Sequence, residues 1–404
     1  MRTNQSTWWF LVCLLCILAI SVGCGGVGQT VALVQATPTP TPSPTPSPSP
    51  TPTPTPALTN IIVVVMQNRS FDHLFGTFPG VNGIQPGVPG YTQTDAAGKS
   101  VTAFFQTNVA IADMPHLRGD LIKDWNKGLM DQFAFNSGDN AMGYYDNTTP
   151  GMGLLWSWAQ QYALADNFFP SAMGDAPSNQ LYLIAASDNN FSFSIQPFYP
   201  PCNTLTKASS PYTFPHVGDQ LAAKGLSWSW YHESFGDCAQ YKSQENPFQF
   251  FTSSHDSPNL KDLSAFNTDL NAGKLPNVSF VQPGALHSTH PAGGLSISSG
   301  LTWLDGFIRQ IQASPVWPTS AIVVVWDASG GLWDHVPPPQ KLDSQGFGPR
   351  VPLLVISPFA KRGYISHVQM DDVSILKFIQ ANFKLPPLNA RNQSGNDISD
   401  MLQF

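Results

Sequence analysis

Charge is scarce in this sequence. Only 11% of the 404 residues are charged, and 26 acids against 19 Lys and Arg leave a net charge of −7. Nucleic-acid binding needs a concentrated basic face, so this balance argues against it and leaves small or neutral substrates open. Cysteine is scarce too, with 5 in the chain. Cys13, Cys16 and Cys24 crowd the N-terminus, so only Cys202 and Cys238 remain in the body. An even pair in an exported domain predicts a disulfide; two buried free thiols are the alternative. No internal repeat is apparent.

The first sixty residues do not read as folded protein. Arg2 precedes the apolar run "WWFLVCLLCILAISV", and Gly23-Cys24 follows it. The run is short and small residues follow, so residues 1–23 read as a secretory signal rather than a spanning helix. Cys24 after "SVG" resembles a lipoprotein cleavage site, with Ser21 where Leu is usual; ordinary cleavage or an uncleaved anchor is the alternative. Residues 24–36 would then be the lipidated segment. Residues 37–56 alternate Thr or Ser with Pro. Proline fixes φ and lacks an N–H, so this tract predicts an extended spacer of roughly 60 Å, at about 3.1 Å per residue. Lipid, spacer and body in that order would hold a domain away from a membrane.

Residues 58–404 are long enough for one large α/β domain with insertions. "NIIVVVM" (60–66), "NVSFV" (277–281), "SAIVVVW" (320–326) and "VPLLVIS" (351–357) predict strands. Their apolar runs are continuous, not alternating, which suits a sheet covered on both faces. Helices are expected around 115–130, 216–224, 300–313 and 372–383, the last with Val373, Leu376, Ile379 and Phe383 at helical spacing. Strands alternating with helices predict a three-layer α/β/α sandwich around a doubly wound, mostly parallel sheet. Stretches 80–110 and 188–215, rich in Gly, Pro and Asn, read as irregular insertions.

Ligands of such folds bind beyond the carboxyl ends of the strands. The first strand ends in Gln67-Asn68, and the third opens into "WDASGGLWDHVPPP". Asp327, a Gly-Gly turn and then Asp334-His335 suit a metal or phosphate site. The glycines let backbones approach closely, while Asp and His supply ligands or acid–base groups.

At these residues the chain resembles the phosphoesterase family of bacterial phospholipases C and acid phosphatases. Seven blocks occur in the family's order: "QNRSFDHLFG"; "MPH" followed by "WNKGLMDQF"; "YALADNFFPSAMGDAPSNQLYLIAAS"; "HSTHPAGG"; "WDASGGLWDHVPPP"; "GPRVPLLVISPFAKRGYISH"; and "DISDMLQF". The resemblance implies an alkaline-phosphatase-like fold and hydrolysis of phosphate esters such as phospholipid head groups. It implies a divalent metal held by a Glu-Asn and an Asp-Glu pair, a Ser or Thr nucleophile, and histidines on the phosphoryl oxygens. A metal both neutralises the ester's charge and activates the hydroxyl.

Carried over residue by residue, the metal positions fall on Gln67, Asn68, Asp327 and Ala328. The nucleophile position falls on Ala176, when the segment is anchored on Asn179 and Leu181-Tyr182, with Ser178 and Gln180 also departing from the pattern. Thr289 stands where an acid often precedes His-Pro. His116, His290 and His335 are the phosphate-site expectations. Two carboxylates and the hydroxyl are therefore missing, which predicts weak or lost metal binding and leaves open whether the chain is an enzyme. Each residue also has a plainer reading. Asn68 would cap its turn, Asp327 would bond the Gly330-Gly331 amides, and His335 would pin its loop. Ser178, or Ser329 with His335 as base, are the substitute nucleophiles to consider. Trp125, Tyr144, Tyr145, Trp156, Trp326 and Trp333 are expected in the core, with a subset able to box a quaternary ammonium group.

Overall fold

The computed structural model describes residues 58–199, 202, 211–292 and 295–404. The expectations for the signal, Cys24 and the proline-rich spacer fall outside the described residues. Eight strands build one sheet: β1 (Asn60–Met66), β2 (Ala163–Ala165), β3 (Trp228–His232), β4 (Leu260–Asp262), β5 (Val278–Gln282), β6 (Ser320–Trp326), β7 (Leu353–Ile356) and β8 (Tyr364–Ser366). Their spatial order is β8-β2-β7-β6-β1-β5-β3-β4. Only β7 runs against its neighbours, β6 and β2, so the sheet is mostly parallel as expected.

Every residue of β1 and β6 is buried. Side chains alternate between the two faces of a strand, so complete burial means that both faces are covered. Each fully buried Val or Ile here is worth about 1.5–3 kcal/mol relative to exposure. The covering helices include α1 (Phe71–Phe75), α2 (Arg118–Trp125), α3 (Met152–Gln161), α4 (Ala176–Ala185), α5 (Val217–Ala223), α6 (Leu263–Asn271), α7 (Ile297–Gln312) and α8 (Asp372–Phe383). Helix α4 packs on α8, and α3 on α7. The result is the three-layer sandwich.

Helix α2 is shorter than its expected span of 115–130. Leu117 is extended at its start, while Asn126 (φ +42°) and Lys127 (φ +56°) adopt left-handed conformations that end it. The 80–110 stretch contains a small antiparallel pair, Thr92–Thr94 with Ser100–Thr102. Val101 and Met130 belong to a second apolar cluster under this region, together with Trp333. Cys202 and Cys238 form a disulfide with Cα atoms 4.9 Å apart. None of the described helices is long and apolar enough to cross a membrane.

Candidate functional site

Four neighbouring strands deliver polar side chains at their carboxyl ends. In sheet order these are Asp327 after β6, Gln67 after β1, Gln282 at the end of β5 and His232 at the end of β3. Met66 pairs with Trp326, so Gln67 and Asp327 leave the sheet side by side. Asn68 follows with φ +59°, which turns the chain sharply off the strand. The turn is held from both sides. The Gln67 N–H donates to Ser288 O at 2.8 Å, and Thr289 Oγ1 donates to Gln67 O at 3.1 Å. Arg69 Nε donates to Thr289 O at 2.7 Å. The same Thr289 hydroxyl accepts from the Trp326 indole at 3.0 Å, so this residue braces the turn and brings His290 alongside it.

Gly330 and Gly331 have the close approach expected of them. A Cβ on Gly330 would lie 2.7 Å from Asn68 O, and one on Gly331 would lie 2.7 Å from Pro115 O. The loop after β6 thus presses on Asn68 and on the segment that presents His116.

Together these contacts surround a cavity of about 420 Å³ lined by Gln67, Asn68, His116, Asp175, Ala176 and His290, with Lys242 and Glu245 also on its wall. His116 Nδ1 donates to Met114 O at 2.6 Å, and its Nε2 faces the Asn68 amide at 3.4 Å. His290 Nδ1 donates to Pro291 O at 2.8 Å. The two rings are 5.8 Å apart between centroids. Burial lowers the His290 pKa, so the ring favours its neutral form. Burial likewise raises the carboxyl of Asp175, which precedes α4.

Ala176 is the first residue of α4 and brings only a methyl group to the cavity. Ser178 does not replace it: its Oγ donates to Asp188 Oδ2 at 2.8 Å, in the interior. Ser329 Oγ is buried with no hydrogen-bond partner. Asp327 is 2% exposed, and its Oδ2 accepts from Gln180 Nε2 at 2.9 Å. That amide also donates to Gln282 Oε1 at 3.2 Å. Burial pushes the Asp327 carboxyl up to about 8, against the pull of the Gln180 hydrogen bond. Asn68 Oδ1, Gln180 Oε1 and Asp327 Oδ1 remain without partners.

His335 lies away from the cavity wall. Its Nδ1 donates to Asp72 Oδ2 at 2.6 Å, and its backbone N–H to the same oxygen at 2.7 Å. Arg350 completes this buried cluster, donating to Asp72 Oδ1 at 2.9 Å and to Asp334 at 3.1 and 3.2 Å. Asp72, Asp334 and His335 are grouped closely enough to hold a metal ion, but the guanidinium already supplies the cationic charge there. His335 was expected to stand with His116 and His290; its two bonds to Asp72 hold it in this buried cluster instead, away from the cavity. None of the six aromatic residues named from the sequence lines the cavity. Trp156 and Trp326 instead spend their indole N–H groups on Leu74 O and Thr289.

Glu245 was not legible as a site residue. It arrives on a short turn (Ser243–Glu245), and its carboxylate sits 3.5 Å from His232 Nε2 and 3.9 Å from Lys242 Nζ. Burial alone would raise its pKa, but His232, Lys242 and the Gln67 amide together hold it below the ordinary value. The carboxylate expected at position 67 is absent, and one from a distant turn stands beside it. Only the sequence "YKSQEN" hinted at this, by placing a basic and an acidic residue three apart in a weakly charged chain.

A mostly parallel α/β/α sandwich with a polar cavity at its strand tips defines the class. The phosphoesterase family model matches residues 58–386, and the chain belongs to that family. The chain is 25% identical over 421 residues to the non-hemolytic phospholipase C of Pseudomonas aeruginosa, covering 90% of this chain and 59% of that protein. It is 26% identical over 410 residues to phospholipase C B of Mycobacterium tuberculosis, covering 85% and 77%. It spans 55% of the non-hemolytic phospholipase C of Burkholderia pseudomallei, so it corresponds to little more than half of that relative. A crystal structure of an alkaline phosphatase superfamily protein from Vibrio parahaemolyticus gives a TM-score of 0.39 at 11% identity, covering 82% of this chain and 80% of that one.

Proposed function

We propose that this chain binds a phosphate ester of the phospholipid-head-group kind in the strand-tip cavity and does not hydrolyse it by the family's metal-plus-hydroxyl route. The carrying observation is the first turn of α4. Ala176 offers the cavity a methyl group where a nucleophile is required, and Ser178 is bonded inward to Asp188. An alkyl side chain cannot attack phosphorus. The metal set agrees. Gln67, Asn68 and Asp327 offer one carboxylate, and Gln180 already directs an amide N–H at it. A hard divalent cation wants several oxygen ligands with negative charge among them, and the Glu245 carboxylate beside Gln67 is already engaged by His232 and Lys242, so this set does not fit one. The names of the relatives supply the ligand class. Lys242 supplies a donor for phosphoryl oxygens on the wall.

The reading extends to location. An N-terminal signal, lipid on Cys24 and the 37–56 spacer would place the cavity outside the cell, tethered to a membrane. Release of the protein from the membrane fraction by Cys24→Ala tests this part.

The second reading is an active phosphoesterase, favoured by the survival of Asn68, His116 and His290 around one cavity. One assay separates the two. The full-length chain is given a chromogenic phosphate ester and phosphatidylcholine, with and without divalent metal, beside an Asn68→Ala/Asp327→Ala variant. Binding of phosphocholine with turnover no greater than the variant's is expected. Turnover clearly above it establishes the second reading and defeats the first.

A further inference from the structure

Asp113, His116 and His290 come from two separate segments, yet each offers a ligand atom within 4.8 Å of the others'. None of these three residues belongs to the strand-tip set of Gln67, Asn68 and Asp327, and the two sets meet at Asn68. His116 lines the main cavity, Asp113 lines a smaller neighbouring one, and His290 lines both. His116 Nδ1 is tied to Met114 O at 2.6 Å and lies 3.5 Å from Asp113 Oδ1, while His290 Nδ1 is tied to Pro291 O at 2.8 Å. A carbonyl accepts a hydrogen bond, so each ring carries its hydrogen at Nδ1 and, when neutral, leaves a lone pair on Nε2. This is how metal-ligating histidines are oriented, with one nitrogen fixed by an acceptor and the other presented.

A second observation points the same way. Asn68 is 2% exposed, lines the same cavity and places its amide 3.4 Å from His116 Nε2, while its Oδ1 has no partner. A cation beside His116 would favour the opposite amide orientation, with the orphaned oxygen facing it. Oxygen and nitrogen of an amide differ little in shape, so the exchange needs no backbone movement.

We propose that Asp113, His116 and His290 form a binding site for an imidazole-preferring divalent metal ion, with Asn68 as an additional oxygen donor. Two imidazoles and a carboxylate suit zinc, and also nickel, cobalt or copper, whereas magnesium and calcium prefer all-oxygen sets. The site goes beyond the ligand-binding reading and stands whether or not the chain turns over an ester. Its place on the cavity wall gives an anionic ligand a positive partner that the eroded strand-tip set does not provide.

Calorimetric titration of the full-length, chelator-treated chain with zinc chloride, and separately with magnesium chloride, tests the site. One zinc per chain and no magnesium uptake are expected. Asp113→Asn and His290→Ala should each weaken zinc binding on the order of 100-fold or more, since even outer partners of metal ligands are worth 10–100-fold. Asp113 is exposed, so its substitution leaves folding intact and keeps the test valid should the histidine variant fail to fold. Cobalt gives an independent readout through a visible ligand-field spectrum that His290→Ala abolishes. Absence of zinc binding, zinc affinity unchanged in both variants, or zinc lost only in Asp327→Asn would overturn the proposal.

Discussion

Replacing Arg350 with Met removes a guanidinium that is 0% exposed and keeps much of its volume. The native group donates to Asp72 and Asp334, to the backbone oxygens of Asn82 and Asp166, and stacks 4.2 Å from the Phe71 ring centroid. Without it, Asp334, with 0% side-chain exposure, loses its guanidinium partner, and Asp72, with 1%, keeps only His335. Breaking one side of such a buried pair costs about 3–5 kcal/mol. With a urea dependence of about 3 kcal/mol/M for a domain of this size, the midpoint falls by about 1 to 1.7 M. The loss is also pH-dependent. Burial already pushes Asp334 up to about 6 with Arg350 pulling it down. In the variant the folded-state pKa rises further above the unfolded value, so the native state holds the extra proton. Stability therefore recovers as pH falls toward 4 and is lowest above pH 7. Urea unfolding of both proteins at pH 8 and pH 5, followed by tryptophan fluorescence, measures both effects. A midpoint shift below about 0.3 M, or one that grows at pH 5, would refute the claim that this cluster is held by charge compensation.

Two further expectations concern other parts of the chain. His216 is buried; it accepts from the Asp219 N–H through Nδ1 and donates through Nε2 to Ser254 Oγ, and burial lowers its pKa from 6.5 to about 4. The unfolded chain takes the proton first, so stability is lost as pH falls from 6.5 toward 4, by about 3 kcal/mol; His216→Asn, which can still cap α5, should flatten this part of the stability–pH curve, and an unchanged slope counts against it. Restoring Gln67→Glu, Ala328→Glu and Ala176→Ser together should create metal-dependent ester turnover, while each alone should not, because ligands and nucleophile act as a unit; turnover recovered by a single substitution would contradict that account.

The sheet was legible where strands are buried on both faces. "NIIVVVM" and "SAIVVVW" became β1 and β6 to the residue, because a continuous β-branched run has few other uses. Ala163–Ala165 was not legible as a strand, since the three residues Ala-Leu-Ala are too few to carry a period. Trp228–His232 escaped for another reason: its aromatic residues fit core helices as well as strands. At the site, strand tips announced Gln67, Asn68 and Asp327. The positions of Glu245 and His335 depended on partners far away in the chain. Asp72 decides where His335 points, and His232 and Gln67 decide what Glu245 meets. Pairings of that kind leave no local periodicity to read.

The contact of Gly330 and Gly331 with Asn68 and Pro115 gives the cavity a rigid frame independent of its chemistry. The frame is set by backbone against backbone, which no exchange of functional side chains disturbs. A carboxylate can become an amide at position 67, and a hydroxyl can be missing at 176, while Asn68 and His116 stay where the turn holds them. Functional groups in this protein are thus interchangeable fittings on a fixed mount.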